Sequence, residues 1–275
     1  MIEKYDVKIG SLKYNLQLFW TNFIINWKGV VEYKPNFYSV LIFNSVYICI
    51  YVLFAIVLNN LILEELSWGI KEFILFIFLT EIFVDTVGIF HFGRSLVTMH
   101  KNGIFNSYLT KPTNVLLSAF SIQRFNPTLF ILTNLMIYLP IIIYLFDFQF
   151  VNVVYGVLLF LMLIIIQTLV VHFTMSLGFI AYELEEIAGR MYWEAGYGIL
   201  ARYPAQFFQN RINVLMVVSI FPVYFISMWI VPLLSFGSFE VREFEIIILS
   251  VVILISLLGI IFNWKYGLKQ YEAFG

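Results

Sequence analysis

Two carboxylates four residues apart, Glu81 and Asp85, stand inside the apolar run ILFIFLTEIFVDTVGIF. On a helix that spacing puts both on one face, with Gly88 about one turn further along. An ionisable group in such surroundings is costly unless it faces protein or water. Three roles are open to the pair: a polar stripe along a translocation path, a proton-titrating pair, or a structural network between packed helices. Gln167 and His172 raise the same question in the apolar run 151–180. For them a link between helices or a water-facing position near the end of the run competes with a place on the path.

Other chemistry is missing from the chain. There is no Gly-x-x-x-x-Gly-Lys-Ser/Thr stretch, so it has no Walker loop with which to cradle ATP phosphates. Neither a His-Glu-x-x-His helix nor a Gly-x-Ser-x-Gly elbow occurs, and His91, His100 and His172 are scattered rather than set at ligand spacing. The single Cys49 supports neither a disulfide framework nor a cysteine metal cluster. The expectation is a chain that is not an enzyme and holds no metal or cofactor. A net charge of −1 gives no gross attraction to nucleic acid, which is not an expected partner.

The elements that must position these groups follow from composition. Of 275 residues, 61% are hydrophobic and 12% charged, where a soluble domain carries about 25% charged residues. The balance is that of a membrane protein, and 30 Phe, 17 Tyr and 6 Trp suit the two bilayer interfaces. About 20 apolar residues cross a hydrocarbon core of about 30 Å. Six stretches qualify: 37–58, 72–90, 127–146, 151–180, 212–234 and 246–264. The fourth is long enough to tilt or to project beyond the bilayer. The first 35 residues mix polar and aromatic types, so no cleavable signal peptide is expected. The expected fold is an all-α integral membrane protein with a single transmembrane domain: an interfacial element in 1–36, a six-span bundle over 37–264 and a tail from 265 to 275.

Basic residues orient the bundle. Of the 16 Lys and Arg, all but Lys71 and Arg242 fall in residues 1–36, in the second and fourth connectors, or in the tail. By the positive-inside rule both termini are cytoplasmic, in a multi-pass plasma-membrane topology. Residues 5–28 carry Ile9, Leu12, Leu16, Phe19, Phe23 and Trp27 on one face and Ser11, Asn15, Asn22 and Asn26 on the other, the pattern of an amphipathic interfacial helix. The second connector, from His91 to Phe125, holds Arg94, Lys101, Lys111 and Arg124 and no acid. It is far longer than a usual helix-to-helix link. Gly103 can end one helix and Pro112 punctuate the start of another. From 113 to 125 apolar residues recur at helical spacing, at Val115, Leu116, Ala119, Phe120 and Ile122. The segment reads as one or two short helices under the membrane, either docked on a partner or resting on anionic lipid headgroups.

Four stretches in this order resemble the six-span ATP-binding-cassette type-2 permeases: SWGIKEFILF before the second span, KNGIFNSYLTKP after it, RYPAQFF before the fifth, and the ending FNWKYGLKQYEAFG. The resemblance covers essentially the whole chain and is to the short permeases that end in Trp, then Gly-Leu, then Tyr and a small-residue tail. The final YEAFG departs from it, because relatives usually place a Ser before the small residue. The resemblance implies a permease that pairs with an identical or similar permease above two copies of an ATP-binding-cassette ATPase subunit, which carries the ATP and Mg. It makes the second connector the coupling helix, with Gly103, Leu109 and Pro112 at motif positions and Asn106, Tyr108 and Lys111 facing the ATPase. The N-terminal helix would touch the same subunit.

Pro222 and Pro232 in the fifth stretch fit either simple kinks or the re-entrant pair of short helices that such permeases place before the sixth span, where irregular backbone must be covered by protein or water. Glu183, Glu185 and Glu186 suit a solvated charged face or an ATPase contact. Three functions remain open: the permease of an ATP-driven exporter for a hydrophobic or amphipathic cargo such as a lipid, drug or peptide; a proton-coupled secondary transporter using Glu81 and Asp85; and a non-transporting membrane assembly subunit. No internal repeat relates the two halves, whereas many secondary transporters are built from repeats.

Overall fold

The computed structural model describes residues 34–59, 68–90, 126–180, 182–192, 203–208 and 211–270, together with single positions between 13 and 32. Every element among them is helical. Five long or mid-length helices fall on the expected apolar runs: α1 Lys34–Asn59, α2 Ile70–Phe90, α3 Asn126–Leu145, α4 Phe150–Ser176 and, last in the chain, α8 Glu243–Gln270. Between α4 and α8 lie α5 Tyr182–Tyr192, a 3-10 turn Ala205–Phe208, α6 Ile212–Val218 and α7 Val231–Phe236.

Two helices, Phe150–Ser176 and Glu243–Tyr266, are long and apolar enough to cross a membrane. Tyr38–Phe54, Ile131–Leu145 and Ile226–Phe236 are shorter apolar stretches. The surface supports the membrane reading. α1 exposes Ile42, Phe43, Val46, Ile50 and Leu53, α4 exposes Leu158, Leu161 and Ile165, and α8 exposes Ile247, Leu254, Leu258 and Phe262. A water-facing helix shows a polar outer stripe; one that is apolar all round belongs in a large core or in lipid.

The fifth stretch is not one continuous helix. α6 stops at Val218, turns follow through Val223, and a π-turn spans Ile226–Ile230 before α7. Pro232 carries no amide hydrogen, and the preceding amide of Val231 bonds five residues back to the Ile226 carbonyl. Gly237 ends α7 in the left-handed region (φ 79°), its amide bonded to the Leu233 carbonyl at 3.1 Å. From Val223 to Val231 the segment is buried, apart from the half-buried Met228. It packs against α2, α4 and the 205–208 turn.

Two groups of helices result. α1, α2 and α3 pack on one another; α4 and α8 pack on each other; α2 touches α4, and the buried fifth segment meets both groups. Close approach of α4 and α8 is permitted by Gly259, where an added Cβ would lie 2.3 Å from the Phe173 ring. Gly156 on α4 makes a similar seat for Leu234 of α7. Of the amphipathic N-terminal segment, Lys13, Tyr14, Gln17, Trp20, Thr21, Ile24, Ile25 and Lys28 are described and all are helical. Its expected apolar stripe lies outside the described residues, as does the whole 91–125 connector.

Candidate functional site

Glu81 and Asp85 occupy the half-buried middle of α2, where it packs against α1 and α3. Their helical spacing turns both toward those neighbours, which bring polar groups of their own. From α3, the buried Asn134 donates its side-chain amide to Asp85 Oδ2 at 3.0 Å. From α1, Tyr47 donates to Glu81 Oε1 in a longer bond of 3.4 Å, and the Tyr47 and Tyr51 hydroxyls meet at 2.6 Å. The two tyrosine rings pack edge to face with centroids 4.5 Å apart. One turn along, Asn44 of α1 donates to Thr133 of α3 across the same interface.

Tyr138 completes the group. It stands four residues after Asn134, is 2% exposed and packs its ring on Phe78 at 5.3 Å. Its hydroxyl lies within electrostatic reach of Glu81 and Tyr51 and has no hydrogen-bond partner among the described residues. Asp85 is likewise within reach of Glu81, and its bonded partner among the described residues is the neutral Asn134 amide. The cluster therefore joins two interacting acids to amide and phenol donors in apolar surroundings. Such an arrangement can hold a proton, a cation or water.

Gln167 and His172 are both buried, but on α4. His172 Nδ1 lies 2.6 Å from the Thr168 carbonyl one turn back, a contact that places its proton on Nδ1. One turn further, Asn263 of α8 donates to Ser176 Oγ at 2.9 Å, and Ser176 donates in turn to the Phe173 carbonyl at 2.7 Å. This α4–α8 tie is the interhelical network that competes with a path-lining role for this end of the helix. The bond of Asp85 runs instead to α3, and the four expected path residues divide between two helices, α2 and α4.

A third carboxylate was not expected to matter. Glu245, in the first turn of α8, is fully buried. It accepts from the Tyr224 hydroxyl at 2.7 Å, the Trp229 indole Nε1 at 3.0 Å and the Arg242 amide at 3.1 Å. The last of these is the reach of a third helical residue back to the N-cap amide. Glu72 does the same for α2, accepting from the Gly69 amide at 2.8 Å. Ser227 locks the other side of the buried segment: its Oγ accepts from the Ala205 amide at 3.0 Å and donates to the Tyr224 carbonyl at 2.9 Å, while Gln206 donates to its carbonyl. The Ala205-Gln206 pair of RYPAQFF is thus an anchor for the fifth segment.

No family model, curated protein or solved structure matches this chain. Among the described residues no group of three or more His, Cys, Asp or Glu could hold a metal ion. The coupling residues Gly103, Asn106, Tyr108, Leu109, Lys111 and Pro112 lie outside the described residues. Glu185 is buried on α5, and Glu186 pairs with Arg190 at 2.7 Å on its exposed face. Sequence reading missed Tyr47, Tyr51, Asn134 and Tyr138. The signal for Asn134 was available, because an amide inside an apolar run is costly for the same reason as an acid.

Proposed function

We propose that the chain is the transmembrane permease subunit of an ATP-driven exporter, moving a hydrophobic or amphipathic cargo with energy from a separate ATPase. The observation that carries this reading is the Glu81–Asp85 cluster, half-buried where α2 packs against α1 and α3, two helices whose exposed side chains are largely apolar. A polar seat enclosed by lipid-facing helices is the arrangement a translocation path needs. In this reading α1 to α4, α8 and the broken fifth segment together make six passes, with both termini cytoplasmic in the plasma membrane. The acid-free connector 91–125 docks the ATPase, two copies of which, with their ATP and Mg, serve a pair of permeases. The buried segment before α8 suits the re-entrant element of the permeases the chain resembles.

The docking test changes Tyr108 to Ala and Lys111 to Glu together. Insertion is expected to persist while ATPase co-purification and transport-linked hydrolysis fall; unchanged binding and unchanged hydrolysis would remove the assignment. For the topology, cysteines placed at Glu64 and Glu240 should react with an impermeant thiol reagent on intact cells, and one at Asn106 should not. The half-buried acids also favour a second reading, a proton-coupled secondary transporter. Uptake driven by a proton gradient in vesicles holding this chain alone would select it.

A further inference from the structure

We propose that α5 is a membrane-surface helix, with Leu184 and Ile187 set into lipid where headgroups meet acyl chains. At about 100° per residue, the described side chains of α5 divide its circumference into three. Leu184 and Ile187, three positions apart, share an exposed apolar edge. Ile180, four residues before Leu184, is exposed as well and carries that edge back toward α4. On one flank of the edge Glu185 is buried, and α5 packs on α4 and on the 3-10 turn Leu177–Phe179 that follows α4. On the other flank Glu186 and Arg190 are exposed and paired at 2.7 Å. A charged pair is at ease in water and an apolar edge is not. A helix with protein on one flank, water on the other and apolar side chains between them suits the boundary of water and lipid.

The second observation sets the level at which α5 lies and is independent of its own side chains. α4 and α8 are the two helices long and apolar enough to cross a membrane. From Glu245 to Asn263 α8 rises about 27 Å, close to the ~30 Å of a hydrocarbon core. Directly after Asn263 come Trp264, Lys265 and Tyr266, residue types that mark a membrane interface, and the last two are exposed. Asn263 is tied at 2.9 Å to Ser176, the last residue of α4. α4 therefore ends at that interface. α5 begins at Tyr182, just beyond a 3-10 turn that itself packs on α8. At that level the medium beside an exposed apolar edge is lipid. The segment carries Glu183, Glu185 and Glu186 against Arg190, so burial of the edge rather than attraction to anionic headgroups holds it there. The inference rests on the membrane-spanning part of the permease reading and not on its ATPase.

The test uses the full-length chain with Cys49→Ser and, one at a time, Leu184→Cys, Ile187→Cys, Glu186→Cys, Arg190→Cys or Leu254→Cys. Each cysteine is labelled with nitrobenzoxadiazole and the protein reconstituted in phosphatidylcholine vesicles. Leu254 is exposed midway along α8 between Glu245 and Asn263 and serves as the control for the bilayer centre. Quenching by nitroxide lipids should set the probes at 184 and 187 about 5–10 Å into the headgroup and acyl boundary, shallower than the probe at 254. Iodide supplied to both faces should quench the probes at 186 and 190 and spare those at 184 and 187. A deep probe at 254 with 184 and 187 open to iodide keeps the membrane bundle and overturns the inference, leaving the edge to a soluble partner. Probes at 184 and 187 shielded from both quenchers overturn it in favour of a second copy of the chain. A probe at 254 open to iodide removes the membrane reading and this one together. Should Leu184→Cys fail to fold, Ile187→Cys on the same edge decides. The expected depths in a chain that captures no ATPase would keep this inference and remove the permease reading alone.

Discussion

Glu245 at the head of α8 and Asp85 in the middle of α2 are both acids within apolar helices, and their surroundings differ in every respect. Glu245 is sealed from solvent and takes three donors, from Tyr224, Trp229 and the Arg242 backbone. Asp85 is half-buried, has Asn134 as its one donor among the described residues, and shares its neighbourhood with another acid and with a phenol whose hydroxyl has no partner among them. A saturated carboxylate holds elements together, since each donor depends on it. An acid with a single donor keeps bonding capacity in reserve, at a cost to the fold that only a ligand, water or proton offsets. The α4–α8 side of the molecule is therefore built as a lock, while on the α1–α2–α3 side Asp85 keeps bonding capacity that its described neighbours do not use.

The largest effect should come from breaking the lock. Glu245→Ala leaves a buried phenol, an indole N–H and a backbone amide without their acceptor, and a loss of about 3–5 kcal/mol is expected, read as a steep fall in the melting temperature in detergent. An unchanged melting temperature would mean that the contrast between the two acids is not one of structure against function. Gly259→Ala should act next. Its new methyl meets the Phe173 ring, so α4 and α8 must shift or the ring must turn away, costing about 1–3 kcal/mol; thermal unfolding beside Gly189→Ala, where an added Cβ meets nothing within 4 Å, isolates that clash. The smallest effect on stability belongs to the double change Glu81→Gln and Asp85→Asn. It keeps shape, removes the like-charge conflict and should alter stability by less than about 1 kcal/mol while lowering transport by the assembled complex. If detergent-stable protein were lost instead, both regions would be locks.

Much of this was legible in the chain. The runs 37–58, 72–90, 127–146 and 151–180 correspond to α1 to α4 within a few residues, because a long apolar run has few other ways to satisfy its backbone. The fifth stretch was harder. Its prolines announced a break, but the break's form depends on Ser227 meeting Ala205 and Gln206, contacts 21 and 22 residues apart in the chain. Glu81 and Asp85 were visible because charge is rare in such runs. Their tyrosines were hidden among 17, in a residue type that membrane interfaces use everywhere. Glu245 was hidden for a different reason: it stands one residue before an apolar run and so read as the run's edge.

The π-turn at Ile226–Ile230 has a consequence for angle. Tyr224 and Trp229 are five residues apart, and on a regular α-helix such positions point about 140° away from each other around the axis. A wider turn absorbs one extra residue, worth about 100° of rotation, and brings the two side chains round to nearly one direction. That is how a phenol and an indole from a single short segment reach the two oxygens of one carboxylate. The segment's length is in effect a dial: with one residue fewer between them, Tyr224 and Trp229 would stand four apart, the spacing at which a regular α-helix keeps two side chains on one face, and the wide turn would have nothing left to absorb.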